Sequence, residues 1–454
     1  MLKNKYEIKD IDLDSIYSEN VTSSGTDHEP LRKLRILACP ANEGGCAYYR
    51  IILPMQKMLE LHGNEVEVRL DLNPLGFDAE AMKREGKGGI KFKDWTPEAF
   101  EWADVVFTQN IHNFGGPYTI EILKEAEKYG CFTHYDNDDL LTDLYEGHRL
   151  YKVYKDNQLD ALTKHIYANV DMVSVTQRKF AERVAPYVNK ALVIIKNAID
   201  YQLPCWNEKK LRPPRKKTTR IGWVGGIHHE EDVKDFPGVA SLVNGRVGPE
   251  NVQWGFYGRP PMPMNAKGEP EPDWQQEVWD NYTKMLTKGL KHRNYQVFTA
   301  MPGDKYGMMY TNIDVAIAPL DFNNFNDSKS EIKVAECGRY GIPLVATNCG
   351  CYDETIVNGE TGYLIDPTND RREWARILTK LCKDPKHRIE MGQNLKRITD
   401  NAFDLGKNVY GRIELYRELI QTKTGVADAK AAELSEIQRN KDKKRDIPAE
   451  KESW

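Results

Sequence analysis

Short apolar runs separated by longer stretches of helical periodicity recur along most of the chain. Leu34–Pro40 is apolar on both faces and predicts a buried parallel strand, and the glycine turn Glu43–Arg50 leads from it into a helix over Tyr48–Leu61. Strands are predicted next at Glu65–Leu70, Asp104–Gln109, Cys131–Tyr135, Met172–Val175 and Ala191–Ile195. Helices are expected between them over Tyr118–Tyr129, Asp156–Ala168 and Gln177–Pro186. A second series opens at Arg220, with strands Ile221–Val224, Val252–Tyr257, Tyr295–Phe298, Asp314–Leu320 and Pro343–Thr347. Its helices are expected to start with Glu230, Glu231 and Asp232, to end at Tyr310, to open near Glu331, and to cover Arg371–Cys382, Arg388–Asn401 and Leu405–Gln421. Such alternation predicts an α/β protein with two Rossmann-like, doubly wound parallel sheets whose ligands bind at the carboxyl ends of the strands.

The pattern divides the chain into an N-terminal extension (1–30), a first α/β domain (31–200), a basic linker (201–219), a second α/β domain (220–402), a helix crossing back to the first domain (403–422) and a charged tail (423–454). A length of 454 residues suits two such domains, and 40% hydrophobic with 29% charged residues is a globular balance. The net charge of −4 argues against a protein that coats nucleic acid along its whole surface. No apolar run approaches eighteen residues and the first residues lack a signal-peptide core, so a cytoplasmic location is expected. The eight cysteines are scattered; Cys349 and Cys351 lack partners at metal-ligand spacing and are expected to be reduced and structural.

Candidate chemistry gathers at strand ends. Gly44 and Gly45 let backbone approach a ligand, and Arg50 can reach a charged group. His112 follows a strand and is expected to be a loop hydrogen-bonder. Asp136, Asp138 and Asp139 crowd one strand tip, where mutual repulsion should raise at least one pKa; helix capping is the alternative role. In the second domain Gly225 and Gly226 make room for phosphate beside His228 and His229, and Arg259 directly follows a strand. Lys333 and Glu336, three residues apart, share a helix face near its N-terminus. There a cation can meet phosphate oxygens and a carboxylate can accept from two ribose hydroxyls, or the two can form an ordinary surface ion pair. Lys209, Lys210, Arg212, Arg215, Lys216, Lys217 and Arg220 make the linker either a solvated connector or a patch for an acidic acceptor.

The stretch Asp327–Asp366 resembles the donor-binding signature of family 4 (group 1) glycosyltransferases, which have the GT-B fold of two domains facing a cleft. The resemblance is carried by Glu336, by GIPLVAT over Gly341–Thr347, by ETIVNGETGYLID over Glu354–Asp366, and by KNAID at Lys196–Asp200. The chain is closest in pattern to members with G-W-x-G-x-x-x-H, here Gly222–His229, and S-K-S-x-x-K-x-x-E, here Ser328–Glu336. It departs by placing Ser328 where the family has a first glutamate that touches the donor sugar, and Asp136 where many members have histidine. The resemblance implies transfer of a sugar from a nucleoside diphosphate, UDP or GDP foremost, with retention and without a metal or other cofactor. It places Gly44, Gly45, Arg50, Gly225, Gly226, His229, Arg259, Ser328, Lys329, Ser330, Lys333 and Glu336 at the donor, and Asp136, Asp138 and Asp139 at the acceptor and sugar. Ser328 then implies a donor sugar unlike the common hexoses. Asp136-Asn137-Asp138 mimics the D-x-D of GT-A glycosyltransferases, but its place in the first domain is expected to keep it away from the phosphates. The acceptor is a glycan, a small molecule or modified DNA. A nucleotide-sugar epimerase, a non-catalytic sugar-nucleotide binder and a DNA-modifying glycosyltransferase are the rival functions.

Overall fold

The computed structural model describes residues 9–10, 32–77, 97–207, 217–234, 236–265, 267–368 and 371–424. Strands β1 (Lys9–Asp10), β2 (Leu34–Cys39), β3 (Val66–Leu70), β4 (Val105–Gln109), β5 (Phe132–Asp136), β6 (Met172–Val175) and β7 (Ala191–Ile194) form one parallel sheet in the order β1-β7-β6-β5-β4-β2-β3. Strands β8 (Thr219–Val224), β9 (Val252–Arg259), β10 (Tyr295–Thr299), β11 (Val315–Ala318), β12 (Leu344–Thr347) and β13 (Gly362–Ile365) form a second, in the order β10-β9-β8-β11-β12-β13. In both sheets the strand order reverses beside the first strand of each series, the switch point at which ligands bind in open α/β sheets.

Burial on both faces explains the unbroken apolar runs. In the second sheet Trp223, Trp254 and Phe256 pack on one side with Trp279, Tyr282 and Trp374. Val224, Tyr257 and Ala316 pack on the other with Trp206, Tyr310 and Ile342. Successive residues of β8 therefore serve opposite layers, as the pleat requires.

Several expectations change in the folded chain. The N-terminal extension, set outside both predicted domains, contributes to the first sheet, where Lys9 and Asp10 pair with Val193 and Ile194 as an edge strand. The helix after the glycine turn is broken into Gly45–Ala47, a π-helical turn at Tyr48–Ile52 and the helix α1 (Leu53–His62). The helix expected over Asp156–Ala168 is two, Tyr151–Asp156 and Leu159–Asn169, divided where Gln158 takes a positive φ of 53°. No helix starts at Glu230. Asp232 instead accepts hydrogen bonds from His229, from the backbone of Asp321 and from Asn326, which holds a turn, and the next helix is Val239–Val247. Two further helices matter below, α2 (Arg178–Val184) and α3 (Trp274–Leu286), the latter capped by Asp273. The helix opening near Glu331 is α4 (Ile332–Arg339).

The helix through residues 405–424, here α5, lays Leu405, Val409, Ile413 and Tyr416 into the first-domain core against Leu34, Ile36 and Met55. The chain thus passes between the domains twice, and the passages are tied together: Ile199 donates its N–H to Phe403 O (2.8 Å) and accepts from Leu405 N (2.9 Å). Lys423, expected in a charged tail, pairs with Asp171 at 2.7 Å. Among the described residues no helix is long and apolar enough to cross a membrane.

The linker is also revised. Cys205 and Trp206 are buried in the second-domain core, while Lys209, Lys210, Arg212, Arg215 and Lys216 lie outside the described residues. Arg220 belongs to no solvated patch: its guanidinium is buried and makes two hydrogen bonds to Asp314, at 2.8 and 2.7 Å. Removing one member of a buried pair leaves the other charge without compensation. Arg220→Ala is therefore expected to destabilise the second domain by roughly 3–5 kcal/mol, read as a lower midpoint in urea unfolding.

Candidate active site

The carboxyl ends of the two sheets face a cleft of about 510 Å³. The first domain contributes Gly44, Gly45, Cys46, Tyr48, Tyr49, Asp138, Asp139 and Asn197. Trp223, His229, Tyr306, Lys329, Ser330, Lys333 and Glu336 come from the second.

At its floor Lys333 and Glu336 form a closed polar cage. The Lys333 ammonium lies 2.9 Å from Glu336 Oε2, 3.0 Å from the Tyr306 hydroxyl and 3.2 Å from the Tyr310 hydroxyl, so each of its three protons has an acceptor. Glu336, 1% exposed, also accepts from Tyr310, and from Tyr49 of the first domain at 3.4 Å. Burial opposes the ammonium, but Glu336 and Tyr306 outweigh it and raise the Lys333 pKa. This is not an exposed surface pair. The tyrosines carry no motif in the sequence; only the aromatic doublet Tyr48-Tyr49 after the glycines, and the i, i+4 spacing of Tyr306 and Tyr310, hint at them.

Lys329 differs. Its ammonium lies 5.0 Å from the centre of the Phe325 ring, and among the described residues it has no hydrogen bond or ion pair. Across the cleft Cys46, Asp138 and Asp139 bring a thiol and two carboxylates within 4.8 Å of one another, a geometry that could hold a metal ion. Burial and the neighbouring Asp138 charge raise the Asp139 pKa to about 7, against the pull of Lys329. Of the acidic motif expected to stand away from the phosphate site, Asp138 thus lines the same cleft as Lys329. The motif's middle residue turns inward, where Asn137 accepts from the Tyr167 hydroxyl at 2.8 Å. His229 lines the second-domain wall with Nδ1 2.6 Å from Asp232; burial and Lys329 lower its pKa, and Asp232 opposes them. With Asp232 as acceptor, Nδ1 carries the ring proton.

Six expected positions do not line the cleft. Arg50 and Asp136 form a buried bidentate pair at 2.9 and 2.6 Å, in which Arg50 also donates to Ile195 O and Asn197 Oδ1. Burial opposes the Asp136 charge, but Arg50 outweighs it and lowers the pKa. Both side chains are therefore spent in joining β5 to the loop after β7. Arg259 is held by Gln276 (2.7 Å) and Asp280 (3.0 Å) on α3. Ser328 is fully buried and donates to Asn324 O at 2.8 Å, so it presents nothing to a donor sugar. Gly225 spends its N–H on Tyr257 O (3.0 Å), and a Cβ on Gly258, whose φ is +120°, would lie 2.0 Å from Gly225 O. These glycines serve the close approach of β8 and β9, and Gly226 does not line the cleft either. His112, read as a loop hydrogen-bonder, lies with Nε2 3.0 Å from Leu72 O.

Comparison with known proteins bears on this geometry. Residues 276–398 match the family model for glycosyl transferases group 1. A D-inositol 3-phosphate glycosyltransferase of Corynebacterium kroppenstedtii is 30% identical over 122 residues, 26% of this chain and 25% of that protein, so the matched stretch spans a quarter of the relative. Among solved structures, sucrose-phosphate synthase from Thermosynechococcus elongatus superposes with a TM-score of 0.59 at 14% identity, over 86% of this chain and all of that one. HepE of Anabaena, solved in complex with UDP and glucose, gives 0.53 at 13% identity, over 86% of this chain and 99% of its own. The chain therefore has the two-domain GT-B fold, and its match to the group 1 glycosyl transferase model covers the stretch that carries Lys329, Lys333 and Glu336.

Proposed function

We propose that the protein is a glycosyltransferase that moves a sugar, with retention, from a UDP- or GDP-sugar to an acceptor hydroxyl. The observation that carries this reading is the convergence in one cleft of a half-buried lysine held by a buried glutamate, an unpaired lysine, and the carboxylates of Asp138 and Asp139, with the Asp139 pKa raised to about 7. Glu336 accepts the ribose hydroxyls. Lys329 meets the departing diphosphate with the Ser330 hydroxyl, where preorganised donors in a site screened from water stabilise developing negative charge. The Asp138–Asp139 pair orients the acceptor and takes up its hydroxyl proton. The family match and the UDP complex of the Anabaena neighbour support a nucleoside diphosphate donor.

Lys329 supplies the positive charge that a divalent ion would otherwise bring, and transfer is accordingly expected to persist in EDTA. An assay of UDP-, GDP- and TDP-sugars against glycans, small alcohols and hydroxymethylated DNA tests the reading. Product formed only with added manganese would reverse the metal-free part. Donor isomerised or hydrolysed in the absence of any acceptor would favour an epimerase, and binding without turnover a sugar-nucleotide receptor.

Glu336→Ala is expected to weaken nucleotide binding by roughly 1.5–3 kcal/mol, the range for hydrogen bonds to a charged group, as measured by titration calorimetry. Asp139 adds a pH-dependent effect on stability. Its folded pKa of about 7 lies above the ordinary carboxylate value, so the fold favours the protonated form. The stability this gives is complete at low pH and is lost as pH rises towards 7. Asp139→Asn should therefore melt with wild type at pH 4 and above it at pH 8, while transfer activity falls. Equal melting temperatures at both pH values would show that the carboxylate carries no such penalty.

A further inference from the structure

The loop before α4, from Asp327 to Glu331, brings Lys329 and Ser330 into the cleft, and the other domain holds it. Asp327, largely buried, accepts from Lys179 Nζ at 3.1 Å and from Arg183 Nη2 at 2.8 Å, both on α2 of the first domain. Its backbone carbonyl accepts from Gln177 Nε2 at 2.9 Å. Further along, Asn197 donates to Ser330 Oγ at 2.7 Å and Lys196 pairs with Glu331 at 3.2 Å. On the second-domain side the loop abuts the turn at Gly350, where φ is +69° and a Cβ would come within 2.9 Å of Lys329 O. The backbone of Lys329 is thus fixed from both sides while its ammonium stays unpaired. Gln177, Lys179 and Arg183 do not line the cleft.

We infer that Asp327 is a positioning residue: its ion pairs with Lys179 and Arg183 across the domain boundary set Lys329 where a diphosphate binds, so that nucleotide affinity depends on contact between the domains. This rests on the reading of Lys329 as the diphosphate cation. A buried carboxylate that loses its cations must find water or a new partner. Freed from α2, Asp327 keeps one donor, the Gly350 N–H at 3.2 Å, too little for a carboxylate so buried; the loop shifts towards water, and Lys329 moves with it. An ion pair that served stability alone would lower the melting temperature but leave the contribution of Lys329 to binding intact.

The two roles separate in a mutant cycle, with UDP and GDP as calorimetric probes. In wild type, Lys329→Ala is expected to weaken binding about tenfold, as for loss of one charge-assisted contact. Lys179→Met with Arg183→Met should weaken it about as much, and adding Lys329→Ala to that pair should cost less than about twofold more. Lys179→Arg, which keeps the charge, should bind as wild type does. A full tenfold loss from Lys329→Ala in both backgrounds would overturn the inference and spare the site. No loss from Lys329→Ala in wild type would overturn the reading of the site, and the inference with it. Should the double variant fail to fold, Arg183→Met alone gives the same comparison, since its side chain is 31% exposed and Lys179 remains.

Discussion

An ammonium and a carboxylate can be set between two domains only if the protons of the one and most lone pairs of the other find partners, because desolvation otherwise exceeds their attraction. Lys333 and Glu336 meet that condition with Tyr306 and Tyr310 from their own domain and Tyr49 from the other. Much of the cleft follows from it. The 3-10 segment that carries Tyr306 and Tyr310 must lie against α4, and the π-helical turn that carries Tyr49 must reach over it. With Lys333 so engaged, the cation open to an incoming anion is its neighbour four residues earlier, Lys329. The electrostatics divide along the same line, with acid and thiol on the first-domain wall and lysine and histidine on the second.

Much of this was legible in the sequence, for a local reason. The parallel strands appear as uninterrupted apolar runs because both faces of each sheet are covered, and nearly every strand lies within a residue or two of its expected position. Lys333 and Glu336 could be paired from sequence because a helix places residues three apart on one face. The expectation that carboxylates crowded at the tip of β5 perturb one another is met in Asp139, whose neighbour is Asp138.

Long-range choices were not legible. Arg50 follows the glycines as a donor-binding arginine would, but the π-helical turn swings it inward to Asp136, 86 residues away. Ser328 stands where the family carries a glutamate, yet its hydroxyl is used by the turn it sits in, so the substitution says nothing about the sugar. Arg259 and Arg220 look alike in sequence as basic residues at strand ends, and each is taken by an acidic partner from a different segment. Glu230, Glu231 and Asp232 have the composition of a helix's first turn. There the competing attraction was tertiary, since Asp232 ties His229 to the segment around Asp321 and Asn326.

The paired passages at Ile199 and Phe403–Leu405 have a mechanical consequence. A single connecting strand would leave the domains free to twist about it and to slide past one another. Two strands bonded side by side behave as a strap, stiff in torsion and in shear, and compliant chiefly to bending across its width. The easiest large motion is then a gape, in which points far from the strap travel furthest and points beside it hardly move. The grip of α2 on Asp327 and the reach of Tyr49 to Glu336 span the two halves, so both must let go as the jaws part. On closing, the strap returns them along the same arc, which makes the alignment of the cleft a property of the covalent path of the chain as well as of its surfaces.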